Sequence, residues 1–263
     1  MTDAGFWIPH RYAEFVTAIP HYPELLPAFE ATRDEQLELL QIASEFAPDL
    51  ARFSGTKPPL PRWEQDWFPG LDGAIAYTMI RHQRPAGVLE VGSGHSTRFM
   101  VKAAQDADLK TEFTCIDPAP RADIASLDVD LILKPLQQIS LESLPELQAG
   151  DVLFVDSSHL SLPGTDVDIL FNRILPTLPA GVFVHIHDIF LPNRYPESWE
   201  WRGYGEHQVL GGWIATGGLK ILHSSQYART YLADQLPDFL QNIPVPEGAF
   251  ETSLWTVKQS PAL

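Results

Sequence analysis

The period of the apolar positions changes near residue 86. Before it, Leu37, Leu40, Ala43, Phe46 and Ala47 recur at helical spacing within Leu25–Phe53 and predict a helix that packs on a larger body. A second helix is predicted from about Leu71 to His82, stopped by Pro85. From Val88 the pattern becomes regular. Short β-forming runs at Val88–Val91, Thr111–Ile116, Asp130–Leu133, Asp151–Val155 and Gly181–Ile186 alternate with helical segments. Those segments are Ser96–Ala107, a short one near Leu141–Leu147, Asp166–Leu175 and Glu206–Ala215. Two further strands, Leu219–His223 and Ser253–Val257, are expected to pair antiparallel at the sheet edge. The insertion between them, with Pro237, Pro244 and Pro246, is expected at the surface. Strands and helices alternating through short joints predict an α/β fold, doubly wound around a mostly parallel seven-stranded sheet with an antiparallel C-terminal strand pair. Residues 1–70 then form an N-terminal helical appendage with an aromatic loop, and residues 71–263 the main domain.

The loop at the end of the appendage carries Trp63, Trp67 and Phe68 among Pro58, Pro59, Pro61 and Pro69. Stiffened aromatics of this kind suit either a lid over a ligand or an anchor into the core, and the pattern leaves both open.

Charge narrows the partners. The 263 residues hold 18 Lys and Arg against 34 Asp and Glu, a net charge of −16. Nucleic acid and anionic membrane would be repelled over most of such a surface, so a small-molecule partner is expected. Self-association is left open. One cysteine, Cys115, allows no internal disulfide and fits a reducing compartment. The start, MTDAGFWIPHRY, shows neither a basic nor an apolar leader pattern, so a cytoplasmic location is expected.

The chemistry gathers at the predicted strand ends. In Gly87–Ser96, GVLEVGSGHS, a strand turns on Gly92-Ser93-Gly94 into a helix that Ser96 can cap. Such a turn brings backbone close to a ligand, and the helix N-terminus offers unpaired N–H groups. Asp117 ends the second strand, about 25 residues on, where an acid can hold a ribose diol in Rossmann-like folds. Asp156 ends the fourth strand with His159 three residues beyond, and His187-Asp188 end the fifth. Asp, His and Asp on adjacent strand ends are metal-ligand chemistry, and a nearby imidazole can take a proton. The competing reading makes these acids caps and turn formers. His185, between Val184 and Ile186, reads as a core histidine.

EVGSGHST, CIDP, FVDSSH and HIHDIF, in that order, resemble the class I S-adenosylmethionine-dependent methyltransferases. The branch they resemble contains macrocin-type sugar O-methyltransferases and cephalosporin-hydroxylase-like proteins. The resemblance runs from about Leu71 to Asp188. It implies that Glu90, Gly92, Ser93 and Gly94 form the turn under the cofactor's methionine part, with Glu90 orienting the loop or the amino group. It implies Asp117 on the ribose hydroxyls, Asp156 beside the cofactor, and a divalent metal on Asp156, His187 and Asp188. Relatives place an oxygen ligand where His187 stands, and an imidazole there favours manganese, iron or cobalt over magnesium. His159 takes the position of the catalytic base. The function so implied is metal-assisted O-methylation of a small hydroxyl-bearing metabolite such as a sugar, polyol or natural-product intermediate. Trp63, Trp67, Tyr195, Trp199 and Trp201 are the expected pocket walls.

Two alternatives use the same elements. A nicotinamide-dependent oxidoreductase also needs a glycine turn and a distal acid, but this turn lacks the third glycine, at Thr97. A metal-dependent hydroxylase would use His185, His187 and Asp188 as a facial triad, although adjacent and alternating residues of one strand cannot all face one metal.

Overall fold

The computed structural model describes residues 8–16 and 21–259. Its N-terminal helices are three short pieces: α1 (Leu26–Glu30), α2 (Arg33–Glu45) and α3 (Ala47–Leu50). The single stretch read from the apolar spacing is therefore broken. Pro27 and Pro48 sit in the first turns of α1 and α3, where a missing N–H starts a helix instead of continuing one. The pieces do pack on the body, burying Phe29, Leu39, Leu40, Ala43 and Leu50.

The body follows the expected alternation. α4 (Gly70–Gln83) leads to β1 (Gly87–Val91), α5 (His95–Asp106), β2 (Glu112–Ile116) and β3 (Asp130–Ile132). β4 (Val152–Val155), α6 (Asp166–Ile169), β5 (Phe183–Ile186) and α7 (Glu206–Ala215) come next. β6 (Leu219–Ser224), α8 (Ser225–Tyr231), α9 (Asp238–Gln241) and β7 (Leu254–Lys258) complete it. The seven strands form one sheet in the order β3-β2-β1-β4-β5-β7-β6. All pairs among β1 to β5 are parallel. β7 runs antiparallel to both β5 and β6, inserted between them.

Two departures have local causes. Near Leu141–Leu147 there are only single turns, Leu136–Gln138 and Leu141–Ser143, because Pro145 holds Leu144 extended at ψ 150°. The segment between β6 and β7 is surface structure only in part: Pro244, Val245, Glu247 and Gly248 are exposed. α8, α9 and their joints bury Tyr227, Ala228, Leu232, Leu240 and Ile243, covering the sheet where the chain returns to insert β7.

The strand period sorts the core into two faces. Val88, Val152 and Phe154 point toward α4 and α5, while Leu89, Val91, Leu153, Val155, Val184 and Ile186 point to the opposite face. On the first face α4 lies close against α5: a Cβ on Gly73 would stand 2.7 Å from the Phe99 ring. Trp63 (1% exposed) and Phe68 (2%) are buried against that ring, and the Trp63 indole donates to the Leu50 carbonyl at 3.1 Å. These two aromatics of the proline-rich loop are anchors. Trp67, 46% exposed, is not. Among the described residues no helix is long and apolar enough to cross a membrane.

Candidate active site

Parallel pairing brings the carboxyl ends of β1, β4 and β5 level, with Val91 opposite Val155 and Val155 opposite Ile186. The ladder continues one step past the strands: Asp156 N–H donates to Val91 O and His187 N–H to Val155 O, each at 2.8 Å. Gly92, Asp156 and His187 are thus neighbours because each follows the last residue of an adjacent strand.

Around Gly92 lies a cavity of about 410 Å³ walled by Gly92, Ser93, Asp117, Leu136, Asp156 and Ser157, among others. Gly92 has φ +83°, and a Cβ there would meet the Asp156 carbonyl oxygen at 1.8 Å. Glu90 is buried beneath the turn and receives the Ser96 and Thr97 hydroxyls of α5, both at 2.6 Å. Burial pushes its pKa up to about 7, although the two hydroxyls favour the ionised form. Of the two roles open to Glu90, its contacts are those of a residue that orients the loop. Asp117 braces the same loop, accepting the Ser93 N–H at 2.8 Å and the Ala119 N–H at 2.7 Å. Gly94 N–H donates to the Thr97 hydroxyl at 2.9 Å, which fixes the start of α5. Ser157 Oγ is buried in the wall of this cavity with no hydrogen-bond partner among the described residues. A close-approach glycine, a ribose-type acid and an unpartnered wall hydroxyl fit a nucleoside-bearing cofactor.

A second cavity of about 180 Å³ is walled by Asp66, Trp67, Asp156, His187, Asp188, Trp199 and Phe250, with Arg121, Arg202 and Glu247. Asp156 and Arg121 line both cavities. Trp67 and Trp199 each carry a guanidinium on the ring face, Arg121 at 4.1 Å and Arg202 at 4.2 Å. The other expected walls lie elsewhere. Trp63 is core, Trp201 is 80% exposed, and Tyr195 is stacked on His207 at 3.7 Å with its hydroxyl buried.

Where the cavities meet, two carboxylates face two imidazoles. His159 Nε2 stands 3.3 Å from Asp156 Oδ1 and 3.3 Å from Asp188 Oδ2. His187 Nδ1 is 3.5 Å from an oxygen of each. Behind the imidazoles lie two fully buried acids: Glu206 Oε2 is 2.8 Å from His159 Nδ1, and Asp72 Oδ2 is 3.2 Å from His187 Nε2. Burial alone would lower both histidine pKa values. For His159 the Asp156 and Glu206 carboxylates, and for His187 the Asp156 and Asp188 carboxylates, override it and hold both well above the usual value. Asp156 responds in kind. Burial would raise its pKa, but the His187 and His159 imidazoles hold it well below the usual carboxylate range. Two of these groups sit on backbone that side chains other than glycine rarely adopt, His159 at φ +59° and Asp188 at φ +57°. Each such residue costs about 1–3 kcal/mol, which the surrounding structure must offset.

Asp156, His159 and Asp188 each offer one atom within 4.8 Å of the other two, a set able to hold a metal ion. His187, predicted as the imidazole ligand, stands just outside that trio and on the wall of the smaller cavity. His159, predicted as the base, is 3% exposed and lines neither cavity. His185 is the core histidine expected: it stacks on Phe154 at 3.7 Å and its Nε2 pairs with the Ser253 hydroxyl at 2.9 Å. A triad of His185, His187 and Asp188 is therefore not formed. Sequence reading missed Asp72 and Glu206, which look like ordinary acids in the first turn of a helix, and Arg121 and Arg202, which look like surface charge.

Comparison with known proteins agrees with this geometry. Residues 89–189, from β1 to just beyond β5, match the family model described as a methyltransferase domain. Over those residues, 101 of the 263, the chain resembles a methyltransferase domain. No curated protein matches the sequence. Among solved structures, the S-adenosylhomocysteine-bound methyltransferase PaMTH1 of Podospora anserina is 16% identical, covering 94% of this chain and all of its own, with a TM-score of 0.47. A cmcI structure with Mg and S-adenosylmethionine is 13% identical over 80% of this chain and 84% of its own, TM-score 0.46. The plantazolicin methyltransferase BpumL, with a monoazolic desmethylPZN analog and S-adenosylhomocysteine, is 14% identical over 89% and 100%, TM-score 0.37.

Proposed function

We propose that the protein transfers the methyl group of S-adenosylmethionine to a hydroxyl oxygen of a small acceptor, assisted by a divalent cation at Asp156 and Asp188. The observation that carries this reading is the shared wall. The cofactor-type cavity and the smaller aromatic cavity meet at Asp156, and the carboxylate–imidazole group lies at that junction. Residues 71–263 are the methyltransferase domain in this reading, and residues 1–70 an appendage whose loop contributes Trp67 to the acceptor side.

In the larger cavity, Gly92 and Ser93 would bring backbone against the methionine part, Gly94 would start the helix beside it, and Asp117 would hold the ribose hydroxyls. In the smaller one, Trp67, Trp199 and Phe250 wall a space suited to a sugar or planar ring. Methyl transfer needs the acceptor oxygen in line with the sulfonium, so most of the rate comes from positioning and from lowering the acceptor's pKa. A bound divalent cation supplies the Lewis acid for that second task. With nitrogen joining the oxygen donors, manganese, iron or cobalt suit the site at least as well as magnesium.

The two imidazoles divide the remaining work. His159 completes the tight three-atom donor set and is closed off from both cavities, so it serves as a ligand. His187 lines the smaller cavity, with Nδ1 toward Asp156 and Asp188; a cation on those two carboxylates would offset the charge that holds its proton, and the neutral ring would then take the acceptor proton at that atom. This exchanges the roles that the family resemblance implied.

Chelator-stripped protein should bind S-adenosylmethionine in calorimetry yet transfer no labelled methyl to a panel of catechol and sugar acceptors. Manganese or cobalt should restore transfer. Full transfer in excess chelator would remove the cation from the mechanism, and failure to bind S-adenosylmethionine would remove the assignment of the larger cavity.

A further inference from the structure

Glu206 is a buried acid whose contacts give it no structural task. It opens α7, is 0% exposed, and its Oε1 has no hydrogen-bond partner among the described residues. Among the described residues its other oxygen bonds only His159 Nδ1, at 2.8 Å. Burying a carboxylate with an unsatisfied oxygen costs several kcal/mol, and a neutral isostere would avoid that cost. Asp72, which stands behind His187, is different: it also accepts the Thr252 and Ser253 N–H groups and so ties β7 to α4. Glu206 has no such second duty.

What the contact does is visible in the ring it holds. With Nδ1 donating to Glu206, the lone pair of a neutral His159 lies on Nε2, the nitrogen that faces Asp156 and Asp188. Tyr204 packs across the ring at a centroid distance of 4.6 Å, and the His159 carbonyl accepts the Gly205 N–H at 2.9 Å, so the segment entering α7 grips His159 from two further sides.

We propose that Glu206 is a positioning residue for the cation site: it fixes the tautomer and rotation of His159 so that Nε2 is presented as a donor beside Asp156 and Asp188. This rests on the metal reading above. It adds that the start of α7, outside the segment matched to the methyltransferase domain, belongs to the metal centre.

Carboxylates behind ligating histidines contribute about 10–100-fold to metal affinity. Manganese is titrated into chelator-stripped full-length protein by calorimetry, comparing wild type with Glu206→Gln and Glu206→Leu. The expected result is a fall of about tenfold for Gln, which still accepts from Nδ1 without the charge, and a larger fall for Leu. S-adenosylmethionine affinity and melting temperature should stay at or above wild type in both. Manganese affinity within about twofold of wild type in both variants would overturn the proposal. So would a joint loss of manganese binding, cofactor binding and melting temperature, which marks a residue needed for the fold. A wild type that takes up no manganese would overturn the metal reading and this inference with it.

Discussion

Gly92 and Asp156 meet without a side chain between them: a Cβ on Gly92 would lie 1.8 Å from the Asp156 carbonyl oxygen. This contact joins the glycine turn after β1 to the strand end that carries the first metal-type carboxylate. Gly92→Ala must therefore move one or the other, on a residue whose φ of +83° already costs alanine about 1–2 kcal/mol. The expected outcome is at least a tenfold loss of S-adenosylmethionine affinity by calorimetry, with a lowered melting temperature. Wild-type values for both would show that the two loops are not tightly coupled.

Glu90 should make stability depend on pH. Its carboxyl ionises near 4.5 when unfolded and near 7 in the folded protein, so folding favours the protonated form. Its contribution is complete below about 4.5 and is lost as the pH rises through 7. At about 1.4 kcal/mol per unit the full effect is on the order of 3 kcal/mol. Glu90→Gln has no such dependence. The stability of this variant relative to wild type should rise between pH 5 and pH 8 in denaturant titrations, and a difference that stays flat would refute the buried-acid account.

The sequence disclosed what depends on strand ends and little of what depends on packing between distant segments. The glycine turn, Asp117, Asp156 and His187-Asp188 each follow a short β-forming run, so the order of strands is enough to bring them together. His185 was legible for the same reason, as its apolar neighbours and the period of two turn it into the α4/α5 face. Asp72 and Glu206 lie 115 and 47 residues from the histidines they hold, and no local pattern records such pairings. The appendage shows the converse. Helical spacing ran through Pro48 without interruption, yet the backbone breaks there because proline has no N–H to give.

Asp117 performs two tasks that substitution can separate. It braces the turn through the Ser93 and Ala119 N–H groups, and it faces the larger cavity where the ribose would lie. Asp117→Ala loses both, and should weaken S-adenosylmethionine binding by about tenfold or more, at ~1.4 kcal/mol per decade. Asp117→Asn keeps an acceptor oxygen for the brace but loses the charge, and should fall between. Equal, wild-type affinity in both folded variants would take Asp117 out of the cofactor site.

The two histidines allow the sharpest test, because they are similarly buried and similarly close to the same carboxylates, and differ in what else they face. His159 stands 3.3 Å from Asp156 and Asp188 and does not line the smaller cavity; His187 stands 3.5 Å from both and does. His159→Ala should therefore lose manganese affinity, with activity partly recovered at high manganese, since two carboxylates remain. His187→Ala should keep manganese affinity within a few-fold but lose about 10²–10⁴ in turnover that no added cation restores. S-adenosylmethionine affinity should hold in each, as neither side chain borders the larger cavity. Calorimetry and saturating-cation kinetics on the pair give the two readouts. If instead His187→Ala loses the metal while His159→Ala loses only turnover, the family resemblance had the roles right.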